Sequence, residues 1–157
     1  MPAPIYTIPG SAIAVVASTA KSVLGVKAHA NSGILLRKVR CSFNSVTAAD
    51  QPMLVEIMTS SWATNSPGTN SSSVTPIQTS GLTIAAGFTA GKTWTSEPTT
   101  LAQLDAFYLP PNSSLLYDFP LGDEPNSDLA VGFVVRVTPG ASATSASFSG
   151  SLYVSRC

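Results

Sequence analysis

Stretch after stretch of this chain alternates apolar and polar residues with a period of two, a pattern that fits a half-buried β-strand and little else. In "GILLRKVRCSF", Leu35, Val39, Cys41 and Phe43 are expected on one face, with Lys38, Arg40 and Ser42 on the other. Arg37 breaks the inward row. "PMLVEIMTS" sets Met53, Val55 and Ile57 against Glu56, and "LAVGFVVRVTP" aligns Leu129, Val131, Phe133, Val135 and Val137. "SASFSGSLYVS" turns Ala146, Phe148, Leu152 and Val154 inward and Ser145, Ser147, Ser149 and Ser151 outward. Alternation of this kind belongs to antiparallel sheet with one buried face.

Weaker strand patterns cover 12–18, 23–29, 74–79, 82–89, 104–109 and 114–119. They are separated by breakers such as "NSG", "TAADQP", "NSPGTNSSS", "LPPNSS" and "PLGDEPNSD". "TTLAQLDAFY" has room for one helical turn at most. The expectation is an all-β chain, a single antiparallel β-sandwich of jelly-roll type with eight or more strands. At 157 residues it forms one domain and needs neither disulfide nor metal to hold its core.

Pro2, Pro4 and Pro9 forbid a helix at the start, so residues 1–11 are expected as an extended Pro-rich arm ahead of a sandwich at 12–157. The arm docks either on its own domain or on a neighbour. In the second case Pro4, Ile5, Tyr6 and Ile8 are its candidate interface residues. Trp62 and Trp94 join them, because each stands among Ser and Thr rather than in an apolar run. An exposed Trp suits a sugar platform or a protein contact, whereas a Trp capping the sandwich end would be structural.

Charge narrows the partners. Charged residues make up 10% of the chain, against about 25% in an average domain. That suits either a subunit partly covered by neighbours or a β protein with a Ser/Thr-rich exterior. The net charge is zero, so no global field draws the chain to nucleic acid or to a membrane. Lys21, Lys27, Arg37, Lys38 and Arg40 are the only charges before Asp50, and every charge from Glu97 to Asp128 is acidic. Only Lys38 and Arg40 are expected to share a face, a weak basis for nucleic-acid binding. "MPAPIYTIPG" lacks the charged and apolar regions of a signal peptide, and no apolar run approaches the ~20 residues of a membrane span. Cys41 and Cys157 are therefore expected to stay reduced.

Catalytic motifs are sparse. "SLLYDFPLGDEP" concentrates Asp118, Asp123 and Glu124, with Asp128 just beyond, but it lacks calcium-loop spacing. Pro120, Gly122 and Pro125 mark tight turns, where short acidic acceptors are favoured. A glycosidase pair built on Asp118 and Glu124 is the least favoured reading. "AGFTAGKT" imitates a phosphate-binding loop, yet "WTSEPTT" after it will not open the helix such a loop requires, so Gly87, Gly91 and Lys92 read as a hairpin turn or loop. His29 is the only histidine and has no nucleophile motif beside it. No catalytic residue, metal site or cofactor is implied.

The order of segments, carried by "VLGVKAHANSGILLRKVRCSFNSV", "QPMLVEIMTS", "TWTSEPTTL", "YDFPLGDEP" and "VGFVVRVTP", resembles small β-sandwich virion proteins of tailed bacteriophages, above all head decoration (cement) proteins. The resemblance spans most of residues 12–156, and "SEPT" and "FPLGDEP" are its most specific parts. It implies a structural protein without catalytic residues, made in the host cytoplasm and bound to the major capsid protein at the capsid surface, often as a trimer. The alternative is a carbohydrate-binding sandwich of a phage tail or head fibre, with Trp62, Trp94 or Tyr153 as stacking platforms.

Overall fold

The computed structural model describes residues 3–44, 51–142 and 146–157. Pro2, Asp50, Ser145 and most of the "TAADQP" breaker lie outside them. Eleven strands are present among the described residues: β1 (Ile5–Ala14), β2 (Lys21–Lys27), β3 (Ile34–Asn44), β4 (Met53–Ser60), β5 (Ser72–Val74), β6 (Ile77–Ser80), β7 (Thr89–Lys92), β8 (Leu101–Leu109), β9 (Ser114–Asp118), β10 (Gly132–Thr138) and β11 (Ser147–Arg156). They form two antiparallel sheets, ordered β6-β1-β11-β3-β9 and β5-β7-β2-β10-β4-β8.

The winding follows from the pairings. β1 pairs β11, β2 pairs β10, β3 pairs β9 and β4 pairs β8. The first half of the chain thus meets the second half in nested order, while β1 to β4 and again β8 to β11 alternate between the sheets. This is jelly-roll topology. The short strands β5, β6 and β7 are an excursion between β4 and β8.

The alternation drives the packing. Leu36, Val39, Cys41 and Phe43 of β3, Met53, Val55 and Ile57 of β4, and Phe148, Leu152 and Val154 of β11 are buried in one continuous core. One side of the sandwich is closed where Tyr117 of β9 stacks on Phe107 of β8, ring centroids 5.7 Å apart, and donates to Asp105 Oδ2 at 2.5 Å. At the other side Tyr6 meets Phe88 edge-on at 5.2 Å and donates to the Ile84 carbonyl at 2.7 Å.

Several expectations are corrected. The N-terminal segment is extended, as its prolines require, but it is not an arm: β1 is an internal strand between β6 and β11. Pro9 is tolerated because it lies beyond the end of β6, so its missing N–H can face the open side. Leu36 rather than Leu35 points inward, because the register between β11 and β3 shifts at Tyr153/Val154. That bulge leaves Arg37 and Lys38 on the same outer face. "TTLAQLDAFY" contains strand β8 and no helical turn. The 74–79 pattern divides between β5 and β6, which belong to different sheets, and 82–88 is not a strand. Gly91 and Lys92 lie within β7, while Gly87 is in the loop before it. Leu129 is exposed, since β10 begins only at Gly132.

Candidate functional site

The two sheets present very different outer faces. The outer face of the β2–β10–β4 sheet is sealed by the chain itself. Residues 61–71 and 93–100 fold back over it, and Trp62 and Trp94 stack with ring centroids 5.9 Å apart. Together with Met58 and Val134 they form a second, smaller core. Hydrogen bonds lace the two loops together. Trp94 Nε1 donates to the Asn65 carbonyl at 2.8 Å, Asn65 Nδ2 to the Glu97 carbonyl at 2.8 Å and Thr95 N to the Asn70 carbonyl at 2.8 Å, while within the first loop Asn70 Nδ2 donates to Asn65 Oδ1 at 2.7 Å. The Glu97 carboxylate ties this cover to β2 by accepting from the Ser22 N–H at 2.8 Å and the Ser22 hydroxyl at 2.6 Å. Beside it Arg136 grips Glu56 with two hydrogen bonds, at 2.8 and 3.0 Å. Thr93 and Thr100 hold φ of 55° and 59°, a region that β-branched residues rarely enter, so the surrounding network must impose it.

This arrangement places most of the candidate interface residues inside the molecule. Tyr6 and Ile8 are 2% and 0% exposed, and Trp62 and Trp94 are 4% and 2% exposed. None of the four can act as a surface anchor in this state; each serves the chain's own cores. Pro4 and Ile5 stay half-buried. Burial also removes Trp62 and Trp94 as sugar platforms. Of the three proposed, Tyr153 alone keeps partial exposure, and the Lys38 ammonium lies 5.5 Å from its ring centroid.

The outer face of the other sheet has no such cover. Its side chains lie in rows across the strands: Ile77, Thr7, Tyr153, Lys38 and Asp118 in one, Pro9, Ser151, Arg40 and Leu116 in the next, then Ser149, Ser42 and Ser114. Lys38, Arg40, Ser114, Leu116 and Tyr153 line an open groove of about 390 Å³. The Arg40 guanidinium has no ion-pair or hydrogen-bond partner among the described residues. Sequence reasoning put Lys38 and Arg40 on this face but did not bring Leu116 and Tyr153 beside them, because cross-strand register cannot be read along one strand.

The acidic stretch lies at the rim of this face. Phe119 N donates to the Arg37 carbonyl at 3.1 Å, and Leu36 N donates to the Pro125 carbonyl at 2.9 Å. Two adjacent residues of β3 therefore bond to residues six apart, and 120–124 loops out of the edge. Asp123 N donates to the Pro120 carbonyl at 3.0 Å, with Gly122 at φ 98°, as a type II turn requires. Glu124 braces the loop. Its carboxylate accepts the Gly122 N–H at 2.6 Å and pairs with Arg37, whose Nε donates to Ser155 Oγ at 3.0 Å.

The Gly122 N–H, with the N–H of Glu124 itself and the Arg37 charge, holds the Glu124 carboxyl below its ordinary value. That is opposite to the shift a glycosidase acid needs. Asp118 stands 3.9 Å from the Lys38 ammonium. Among the described residues no three His, Cys, Asp or Glu side chains group as a metal site would require. Compared with family models, curated proteins and solved structures, the chain matches none of them.

Proposed function

We propose that this chain is a non-enzymatic structural protein of a virion, which decorates and stabilises the assembled capsid of a tailed bacteriophage. The observation that carries the reading is the contrast between the two outer faces. One sheet is sealed by the chain's own loops, while the other offers a bare, weakly charged, Ser-rich surface with a braced turn at its rim. Jelly rolls of this winding serve in viral capsid and lectin domains, although a fold alone does not assign a role. The segment resemblance from "VLGVKAHANSG" to "VGFVVRVTP" points the same way. In this reading the partners are the major capsid protein and further copies of the chain, with a trimer favoured by the resemblance.

The mechanism is linkage. A protein that binds only the expanded shell stabilises it by mass action, by about 2.7 kcal/mol per site at a hundredfold excess over Kd. The N-terminal segment is not the strap in this reading, because removing β1 would remove Tyr6 and Ile8 from the core. The bare sheet face takes over that role. The test is co-sedimentation of the purified protein with undecorated, expanded capsids, with unassembled capsid subunits as control. Saturable binding to the shell alone supports the reading; no binding to the shell sinks it.

A further inference from the structure

Leu121 is 91% exposed, the most exposed large apolar side chain among the described residues. It does not sit on a slack loop. It occupies the second position of the type II turn, and Glu124, Arg37 and Ser155 brace that turn against β3 and β11. Ser155 is fully buried, so the brace is rooted in the body of the sheet. Two residues on is Asp123, whose carboxylate has no partner among the described residues. The chain thus holds up a braced projection made of one leucine and one acid that is unpaired among the described residues.

The complement of that projection lies nearby: Lys38 borders both the cavity that Leu121 lines and the groove between Leu116 and Tyr153. The groove bordered by Leu116 and Tyr153 is apolar on those sides, and Leu116 is 55% exposed. Its basic side is Lys38 and the unpartnered Arg40. Apolar meets apolar, and a lone carboxylate finds a lone guanidinium, a pairing that favours bidentate geometry. A net charge of zero sets no long-range barrier between copies.

We propose that the chain self-associates, with Leu121 of one copy seated between Leu116 and Tyr153 of a second and Asp123 of the first paired with Arg40 of the second. The contact can be reciprocal about a two-fold axis or head to tail around a ring; the residue pairs are the same in both. The inference deepens the proposed reading, which already names further copies of this chain as partners, by giving the residues of that contact; it does not depend on the capsid.

The experiment is sedimentation velocity and light scattering on the full chain over a concentration series. Wild type is expected to associate. Leu121→Ser, Asp123→Arg and Arg40→Asp should each weaken association by about tenfold or more. All three alter exposed groups, so the fluorescence of the buried Trp62–Trp94 pair should stay native and exclude misfolding. The decisive variant is the Arg40→Asp/Asp123→Arg double, which restores opposite charges across the contact and should recover association. A wild type still monomeric at about 100 µM would overturn the proposal. So would association that survives Leu121→Ser, or a double variant no better than its singles. If wild type is monomeric and Leu121→Ser abolishes capsid binding, the projection belongs to the capsid contact and self-association is wrong.

Discussion

Gly25 lies directly beneath the stacked rings of Trp62 and Trp94: a Cβ at Gly25 would come within 2.8 Å of the Trp94 ring and 2.9 Å of the Trp62 ring. Both rings are buried and fixed by their neighbours, so neither can simply swing away. Gly25→Ala should cost about 1–3 kcal/mol, the usual range for an overpacked site. Urea unfolding followed by tryptophan emission checks this; an unchanged midpoint would mean the cover is loose.

The two indoles should differ in their response to the same change. Trp94 Nε1 donates to the Asn65 carbonyl, whereas Trp62 Nε1 is buried without a hydrogen-bond partner among the described residues. Trp94→Phe strands a carbonyl and should lose about 1–3 kcal/mol on that account. Trp62→Phe removes a donor that was unsatisfied already, so it should cost less. Equal losses in parallel denaturation curves would contradict the assigned bonding.

Cys41 is buried in the core, and desolvation pushes its thiol up to about 12, while Cys157 is exposed. Because the thiolate is the reactive form, a disulfide reagent should titrate one thiol in the native protein and two in denaturant. Rapid reaction of both in the native protein would argue against the β3 packing described above.

Glu124 makes stability depend on pH in a defined direction. The Gly122 N–H, foremost, holds its folded-state pKa below the ordinary 4.5. A depressed carboxylate stabilises the fold above the unfolded value, and the contribution is lost as pH falls toward the folded value. Wild type should therefore exceed Glu124→Gln in denaturation midpoint at neutral pH, and the gap should narrow below pH 4.5. A gap that widens in acid would show that the brace is wrongly assigned.

β3 and β11 were legible because each has one core face, and in β4 and β10 the alternate positions Met53, Val55, Ile57, Phe133, Val135 and Val137 still marked the side that faces the main core. What stayed hidden was non-local. Tyr6 and Ile8 sit among prolines, which marked them as an arm, yet β11 supplies the partner that makes them core. The cover over Trp62 and Trp94 did leave a trace: outward positions of β2 and β10 hold Gly25 and Val134 where a solvent face would carry Ser, Thr or Lys. Strands buried on both faces lose their alternation, and that loss was the available signal. Asp123 and Glu124 were read as turn residues, and Asp123 closes the turn that Glu124 braces; the brace from Arg37 depended on a bulge that no local pattern announces.

β11 stands between β1 and β3, and in chain order it follows every other described strand. Until residues 147–156 emerge from the ribosome, Ile8 and Val39 lack Leu152 between them, and β1 and β3 are left as open edges ready to pair with other chains. A chain ending at residue 146 should accordingly collect in the insoluble fraction. That sheet therefore closes only after every other described strand has left the ribosome, and until then its two halves wait for one strand with their edges open to aggregation.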